Sequence, residues 1–368
     1  MSKRSISGLV LATSTGAPMR SSRPKPIHLL CGRAMGSYVL DTLAAAGVRQ
    51  GVVVTGPEGG RISKRLLEDP PGFRVRFVEQ KIDRGSGDAV LAGLSGFDDF
   101  NDEEDLVIVP SDLPLLQPEL IQQLVAAHTE SGSACTVLSV DATGMTGVNR
   151  IVRDRQGRVS AIRPDEALTA EDLDGATELN PEAATGVFCV RRGLLAPAIR
   201  RSSAENILGE MQLQAMVEVL ASSGHSCGSV VVSPMPDLVP VGNRLQLAEA
   251  EAELRRRTNL QWLSAGVTMV DPDRTYIDAT VRLGTDVTIF PGTILQGSTV
   301  IGDGCELGPD VRLDRCEVGK NTKIEKATAT LASIGDDCVV GPFAVLAPGS
   351  DLGAGSTTGP FYAEGTGS

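Results

Sequence analysis

The sequence predicts two domains, an α/β domain followed by a left-handed parallel β-helix. Three observations lead to this prediction for the 368 residues. Strand-like and helix-like segments alternate along the first part of the chain, and a charged, helix-like segment follows at 245–263. Beyond it, an aliphatic residue recurs every six positions. The length allows two domains, and the change of pattern places the division between them.

The first part contains five strand-like runs separated by helix-like runs. The strands are predicted at 7–12, 51–55, 74–78, 106–109 and 134–140, and the helices at 35–46, 60–67, 88–93 and 118–130. This βαβα order is typical of a doubly wound parallel sheet, which places ligands at the carboxyl ends of the strands. Those ends hold the segments 14–19, 80–87 and 110–114, where we expect the functional site. Residues 141–200 are rich in charge and proline and are expected to form an irregular insertion.

The last part shows a hexapeptide repeat. Its aliphatic positions are Ile277, Leu283, Ile289, Leu295, Ile301, Leu307 and Leu313, and the frame returns at Ile334, Val340, Leu346 and Leu352. In a left-handed β-helix each such residue points into a triangular prism, and three hexads close one coil. The predicted boundaries are 1–244 for the α/β domain, 245–265 for a linker helix, 266–356 for a truncated β-helix and 357–368 for a flexible tail.

Composition excludes several classes of function. The net charge of −12 argues against nucleic acid or an anionic membrane as the main partner. No apolar run is long enough for a membrane span, and the basic start has too short an apolar run for a signal peptide. The seven cysteines form no CxxC pair, which favours free thiols in a cytoplasmic protein over a zinc site or a disulfide scaffold.

Several segments resemble a known family. They are RSSRPKPIHLLCGRAMGSYVLDTL, FVEQKIDRGSGDAVLAGL, PSDLPLLQPELIQQLVAAH, RIVRDRQGRVSAI, VGNRLQLAEAEAELRRR and AGVTMVDPDRTYID. In order and spacing they resemble the bifunctional bacterial N-acetylglucosamine-1-phosphate uridylyltransferase and glucosamine-1-phosphate acetyltransferase. The resemblance implies transfer of a uridylyl group from UTP to a sugar phosphate, with release of pyrophosphate. Such a transfer depends on positioning and on neutralising phosphate charge.

The first loop matches the family's L-A-A-G-x-G-T-R-M pattern only in part. Leu11, Ala12 and Gly16 match and are expected to bind nucleotide, whereas Ser14 replaces a glycine and Pro18 replaces the arginine. Proline removes both an amide donor and a permanent cation. We therefore expect this loop to bind triphosphate less well than the family's loop.

Further nucleotide contacts are implied by the resemblance. Lys25 matches a lysine that binds the triphosphate, and Gln80 matches a glutamine that reads the uracil edge. Gly85 and Ser86 lie in the segment matching G-T-G, where the backbone approaches the base, and Asp88 replaces the histidine that usually follows.

The metal site is only partly matched. Asp112 corresponds to the family's magnesium-binding aspartate, and a carboxylate beside phosphates suits Mg²⁺. The second ligand is the asparagine of G-V-N-[DN]-R, where this chain has Gly242, with Asn243 one residue later. We expect Lys25 and Asp112 to be the catalytic residues, and Asp112 with Asn243 to hold Mg²⁺.

The sugar pocket also departs from the family. Its motifs correspond here to GVNRI, RPDE and AATG, which provide Asn149, Asp165 and Gly186 as expected substrate-binding residues. The family's hydrogen-bonding pattern for N-acetylglucosamine is not reproduced. The pocket is therefore predicted to accept a different amino-sugar or cyclitol phosphate, or to have lost substrate binding.

The acetyltransferase activity is expected to be lost. The family uses a histidine base in its later coils, but the three histidines of this chain, His28, His128 and His225, all precede the repeat. The family's L-R-P-G arginine corresponds to Ala347. We expect the remaining coils to form a homotrimer.

Two functions stay open on the sequence alone. The first is a magnesium-dependent nucleotidyltransferase acting on a nucleoside triphosphate and a sugar-like phosphate. The second is a catalytically silent paralogue that acts as a binding or scaffold subunit. Pro18 and Gly242 favour the second, and Lys25, Gln80 and Asp112 favour the first.

Overall fold

The computed structural model describes residues 6–98, 102–169, 181–204, 210–233 and 235–364. The chain divides into two compact units, one formed by Met1–His28 with Ala34–Gln246 and the other by Leu29–Arg33 with Leu247–Ser368. None of the helices in these described ranges combines the length and apolar character that crossing a membrane requires.

Strands and helices alternate from residue 6 to residue 264, and most lie close to the predicted positions, although the two short strands at 29–30 and 33–34 were not predicted. In chain order the elements are β1 (Ile6–Ala12), β2 (Leu29–Leu30), β3 (Arg33–Ala34), α1 (Met35–Ala45), β4 (Gln50–Thr55), α2 (Gly59–Leu66), β5 (Arg74–Glu79), α3 (Ser86–Leu94), β6 (Asp105–Pro110), α4 (Pro118–Ser131), β7 (Cys135–Asp141), β8 (Asn149–Arg153), β9 (Val159–Pro164), β10 (Glu182–Arg191), α5 (Arg192–Ala204), α6 (Ala215–Ser222), β11 (Cys227–Val232) and α7 (Arg244–Ser264). The last helix spans the boundary between the two units.

The main sheet has the strand order β11-β7-β10-β6-β1-β4-β5. Its strands are parallel except β10, which runs antiparallel to both β6 and β7. The α/β class is confirmed, but the sheet is mixed and not wholly parallel. The carboxyl ends of β1, β4, β5 and β6 still meet at one edge, which is where such sheets bind ligands.

Helices cover both faces of this sheet. Val10, Val53 and Val107 face a core that includes side chains of α1, α2 and α4. Their neighbours Leu9 and Val52 face a second core with side chains of α3, α5 and α6. Successive residues of a strand point to opposite faces, so a strand buried on both faces is apolar at every position.

The prediction of an irregular segment at 141–200 is wrong for its described part. Strands β8 and β9 form an antiparallel hairpin, and β10 is a ten-residue strand inside the sheet. Strands β8 and β9 lie off the main strand path, and β9 ends with Arg163 and Pro164. Their charged and proline residues made this segment resemble an irregular one in the sequence. The remainder, 170–180, which includes Asn180, lies outside the described residues.

The second unit contains a left-handed parallel β-helix. Its strands are β12 (Thr268–Met269), β13 (Tyr276–Ile277), β14 (Arg282–Leu283), β15 (Thr288–Ile289), β16 (Ile294–Gln296), β17 (Val300–Ile301), β18 (Glu306–Leu307), β19 (Arg312–Asp314), β20 (Glu317–Val318), β21 (Lys323–Ile324), β22 (Thr328–Thr330), β23 (Ser333–Ile334), β24 (Val339–Val340), β25 (Val345–Leu346), β26 (Asp351–Leu352) and β27 (Ala363–Glu364). They form three parallel sheets, β12-β15-β18-β21-β24, β13-β16-β19-β22-β25-β27 and β14-β17-β20-β23-β26.

The predicted repeat positions line the interior of this solenoid, but its coils are not all the same length. Ile277 pairs with Leu295, eighteen residues later. Leu307 pairs with Ile324 after seventeen residues, and Leu313 pairs with Ala329 after sixteen. The interval between Leu313 and Ile334, which lacks the six-residue frame, is therefore still part of the prism. Some of its coils have fewer than eighteen residues, so one or more of their sides are shorter than six residues. Val318, Ile324 and Ala329 are buried there as well.

Two further segments belong to the second unit. Residues 357–364, expected to be part of a flexible tail, include β27, which pairs with β25. The turn at Leu29–Arg33 meets the first coils, where Ala279 N donates a hydrogen bond to Cys31 O (3.0 Å). Next to it, Asp278 Oδ2 accepts a hydrogen bond from Gly297 N (2.9 Å), and burial raises the pKa of this carboxyl group.

Candidate functional site

The site lies at the carboxyl ends of β1, β5 and β6 in the first unit. Leu11 is near the end of β1, where its carbonyl oxygen accepts a hydrogen bond from Ser111 N (3.0 Å). Ala12 ends the strand and is fully buried. The Leu11 hydrogen bond thus joins the end of β1 to the segment that carries Asp112.

The loop after β1 is folded on itself. The amides of Met19 and Ser21 both donate to Gly16 O (3.0 and 3.1 Å), and Arg20 N donates to Ala17 O (2.9 Å). A side chain at Gly16 would collide with the carbonyl oxygens of Ser21 and Arg23, so this position requires glycine. Because three loop amides already have acceptors, the loop offers few amide donors to a triphosphate in this conformation.

Lys25 and Asp112 are brought together from segments 87 residues apart. The Lys25 ammonium group donates a hydrogen bond to Asp112 Oδ2, and the two side chains are only 9% and 15% exposed. The other oxygen, Oδ1, is buried and has no hydrogen-bond partner in the described structure. An unsatisfied buried carboxylate oxygen is costly, and it is the kind of atom that binds a hard cation.

Among the described residues, no three His, Cys, Asp or Glu side chains cluster as metal ligands. A cation here would take Asp112 as its protein ligand and complete its shell with phosphate oxygens or water, which is usual for Mg²⁺. The carboxylate and its free oxygen fit that role.

Asn243 has another role in this conformation. Its Oδ1 accepts a hydrogen bond from Gln246 N (3.0 Å), so it caps the beginning of α7. In return Gln246 Oε1 accepts a hydrogen bond from Gly242 N (2.8 Å). This Asn-x-x-Gln arrangement is a variant of the capping box, a pattern that is visible in the sequence. Val241 N donates to Asp112 O (2.8 Å), so the segment itself does lie beside Asp112.

Arg244, the first residue of α7, contacts the loop after β1. Its Nε donates to Met19 O (3.2 Å), and its Nη1 lies 3.4 Å from His28 Nδ1. Burial, followed by the Arg244 charge, lowers the pKa of His28 and so favours the neutral imidazole. These contacts attach the beginning of α7 to the loop after β1.

Gln80 follows β5 and is buried, with only 3% of its surface exposed. Its Nε2 donates to Asp88 Oδ2 (2.8 Å) and to Gly85 O (3.2 Å). Asp88 is also buried and accepts hydrogen bonds from Arg84 Nε and Nη2 (3.1 and 2.7 Å). An Arg-Asp pair four residues apart therefore holds the amide that was expected to read the base.

Gly85 and Ser86 form part of a packed turn. A Cβ atom at Gly85 or Gly87 would lie 2.7 or 2.9 Å from Met211 O, and Gly85 has φ +99°. Ser86 Oγ accepts a hydrogen bond from Leu213 N (2.9 Å), across a separation of 127 residues. These residues are thus positioned by the segment around Met211, whose contribution the sequence did not reveal because it lies so far along the chain.

The expected sugar-binding residues are not all together. Asn149 is exposed at the beginning of β8, and Asp165 lies beside it, across the β8/β9 hairpin. Gly186 lies in a β-bulge of β10 and has φ +83°. The ideal Cβ position of Gly186 is 3.7 Å from the side chain of Pro110, at the end of β6. Gly186 is thus nearest the Asp112 edge of the sheet.

Asp165 already has protein partners. Arg150 Nε donates to Asp165 Oδ1 (2.7 Å), and Val148 N donates to Oδ2 (3.2 Å). The Arg150 hydrogen bond is the main reason that the pKa of Asp165 is lowered. Arg150 also donates to the carbonyl oxygens of Ala142 and Pro181 (3.2 and 3.3 Å), so this pair stabilises the loop before β8.

The chain is similar to known proteins over most of its length. Residues 8–146 match the model of a MobA-like NTP transferase domain. The chain is similar to the bifunctional protein GlmU of Streptomyces avermitilis, with 38% identity over 354 residues, covering 96% of this chain and 72% of the relative. It is also similar to the bifunctional protein GlmU of Trichlorobacter lovleyi, with 36% identity and coverage of 96% and 75%. The corresponding protein of Clostridioides difficile is 31% identical, with coverage of 96% and 74%.

Proposed function

Because the chain belongs to the family of bifunctional GlmU proteins, we propose that its first unit is a nucleotidyltransferase acting on UTP and a sugar-1-phosphate or sugar-like phosphate. The observation that carries the proposal is the buried Lys25-Asp112 pair with its unsatisfied Oδ1, at the carboxyl edge of an α/β sheet. A lysine and a free carboxylate oxygen side by side suit a nucleoside triphosphate that arrives with a cation.

In this reaction a phosphate oxygen of the acceptor attacks the α-phosphorus of UTP. The bond between the α-phosphorus and the bridging oxygen breaks, and pyrophosphate leaves with the electron pair. Lys25 would bind the triphosphate. Its ammonium group now bonds Asp112, so the phosphate oxygens would compete with the carboxylate for it. Asp112 would hold Mg²⁺, which when bound neutralises the charge on the phosphates. Gln80 would contact the base, and Gly186 is best placed among the expected sugar-binding residues to face the acceptor.

The acceptor subsite supports an altered acceptor specificity. Asp165, expected to bind the sugar, uses both carboxylate oxygens within the protein. We propose that Asn149 and the backbone around Gly186 contribute the acceptor contacts. Because Asn243 caps the beginning of α7, we propose Asp112 alone as the protein ligand of the metal.

The division of the chain near Gln246 supports the proposed boundaries of 1–244 for the catalytic domain and 245–265 for the linker helix.

For the β-helix we propose a homotrimer interface. Its outer surface exposes apolar side chains on adjacent coils, Val339, Phe343, Val345 and Phe361, and the two phenylalanine rings stack at 5.1 Å. Light scattering of the purified chain at micromolar concentration is expected to show a trimer, and a monomer would contradict the proposal. The loss of acetyltransferase activity stays a prediction.

Pyrophosphate release tests the catalytic proposal. Each of the four common nucleoside triphosphates is offered with Mg²⁺ and a panel of amino-sugar, sugar and cyclitol phosphates. We expect release with UTP and at least one acceptor. No release with any combination would favour the scaffold function.

A further inference from the structure

The arrangement around Gln80 has a consequence for base recognition, and it rests on the proposed function. A glutamine side chain can present either its oxygen or its nitrogen, and these bind opposite kinds of hydrogen-bonding group. Which end faces a ligand depends on what holds the other end. In this chain the groups that hold it can be named.

Both hydrogens of Gln80 Nε2 are taken by groups that can only accept. One is the Asp88 carboxylate at 2.8 Å, and the other is the Gly85 carbonyl oxygen at 3.2 Å. Turning the amide over would place Oε1 against these two acceptors, which is unfavourable in a buried site. The orientation of the amide is therefore determined by its partners.

Asp88 is in turn held by Arg84. The guanidinium group donates to Oδ1 through Nε and Nη2, which leaves Oδ2 for Gln80. Arg84 is 54% exposed and Asp88 11% exposed at the side chain, so the arginine balances a carboxylate that is largely out of water. The family pattern has a histidine at the Asp88 position, and a neutral imidazole nitrogen can either donate or accept.

We propose that Arg84 and Asp88 are positioning residues that make Gln80 present only its oxygen, so that the site selects a base with a ring N–H. Uracil carries such a donor at N3. Cytosine has an acceptor nitrogen at the same place, so two lone pairs would face each other. A hydrogen-bonding site of this kind discriminates strongly because the wrong base leaves buried polar atoms unpaired.

Asp88→Asn tests the proposal. The introduced asparagine has only one side-chain oxygen. The Arg84 guanidinium group is expected to bind it, because a charged donor forms a stronger hydrogen bond than the Gln80 amide does. The asparagine nitrogen then faces Gln80 Nε2, and both are donors. The Gln80 amide is therefore expected to rotate so that Oε1 faces the asparagine and Nε2 faces the base. We measure equilibrium binding of UTP and of CTP to the full chain with Mg²⁺, by calorimetry and without an acceptor. The unmodified chain is expected to prefer UTP, and the variant to lose about tenfold or more of that preference.

The double variant Arg84→Met/Asp88→Asn provides the second arm. Without the guanidinium group, the oxygen of the introduced amide is free to accept from Gln80 again, so the preference for UTP is expected to return. Asp154→Asn is the matched control, because Asp154 pairs with Arg158 at the same four-residue spacing in the β8/β9 turn. Its ratio of UTP to CTP affinity is expected to equal that of the unmodified chain.

The outcomes are distinct. Equal affinity of the unmodified chain for UTP and CTP, or an unchanged ratio in Asp88→Asn, overturns the inference. If Asp88→Asn binds neither nucleotide, recovery of the preference in the double variant supports it and failure to recover overturns it. A clear preference for UTP without pyrophosphate release from any acceptor contradicts the proposed function and leaves the inference supported.

Discussion

Changing Asp112 to asparagine tests the proposed chemistry at the atom that carries it. Asparagine keeps the shape of the side chain and one oxygen, but it removes the negative charge that attracts a cation. The backbone contact should persist, since Val241 N bonds the carbonyl oxygen of Asp112 and not its side chain.

The cost in stability follows from the pairing with Lys25. Both side chains are largely buried, so Lys25 keeps a neutral acceptor where it had a charged one. A hydrogen bond to a charged group contributes about 1.5–3 kcal/mol and one to a neutral group about 0.5–1.5 kcal/mol, so the substitution should cost about 1–1.5 kcal/mol. For a domain of this size each kcal/mol lowers Tm by about 2–4 °C, so we expect a decrease of roughly 2–6 °C.

Asp112→Asn should affect activity much more than it affects stability. Removing one group that stabilises developing charge costs about 10²–10³ in rate. Pyrophosphate release is measured with UTP, Mg²⁺ and the best acceptor, at a temperature well below the Tm of the variant. Asp154→Asn serves as the control and should keep full activity. If Asp112→Asn releases pyrophosphate at the rate of the unmodified chain, Asp112 does not hold the metal.

Three further predictions address the other parts of the molecule. Leu307→Asp places an unpaired charge in the prism and should destabilise the chain by roughly 3–5 kcal/mol, whereas Glu306→Gln on the outer face should change stability by less than about 0.5 kcal/mol. Urea unfolding measures both, and an unchanged midpoint for Leu307→Asp would show that the register is misassigned. Burial raises the pKa of Asp278, so its contribution to stability is most favourable below about pH 4 and is lost as the pH rises through the folded-state pKa. Asp278→Asn should therefore raise Tm at pH 7 more than at pH 4, and an equal change at both would refute this. The double change Ser14→Gly/Pro18→Arg should raise the rate with UTP and N-acetylglucosamine-1-phosphate by up to about 10²–10³ if the loop limits catalysis. Rapid turnover of that pair by the unmodified chain would show that the loop is not limiting.

Patterns that depend on neighbours along the chain were readable in the sequence. The strands and helices that were predicted up to β7 lie within about one or two residues of their predicted positions, because strands buried on both faces appear as short continuous apolar runs; the short strands β2 and β3 were not predicted. The six-residue frame likewise placed the β-helix. Where the solenoid shortens its sides, around Val318 and Ala329, a strict period of six could not follow the chain.

The arrangement of the candidate site was decided by tertiary structure. Lys25 and Asp112 could be named from the sequence, but their direct pairing joins segments 87 residues apart. The two partners of Asp165 and the packing of Gly85 on Met211 were likewise not predicted. A motif identifies which side chains are present, whereas hydrogen bonds in a buried site depend on which distant groups the fold brings within about 3 Å. The sequence by itself therefore determined the class of fold and the candidate residues, and only the folded chain determined which of their polar atoms remain free to bind a substrate.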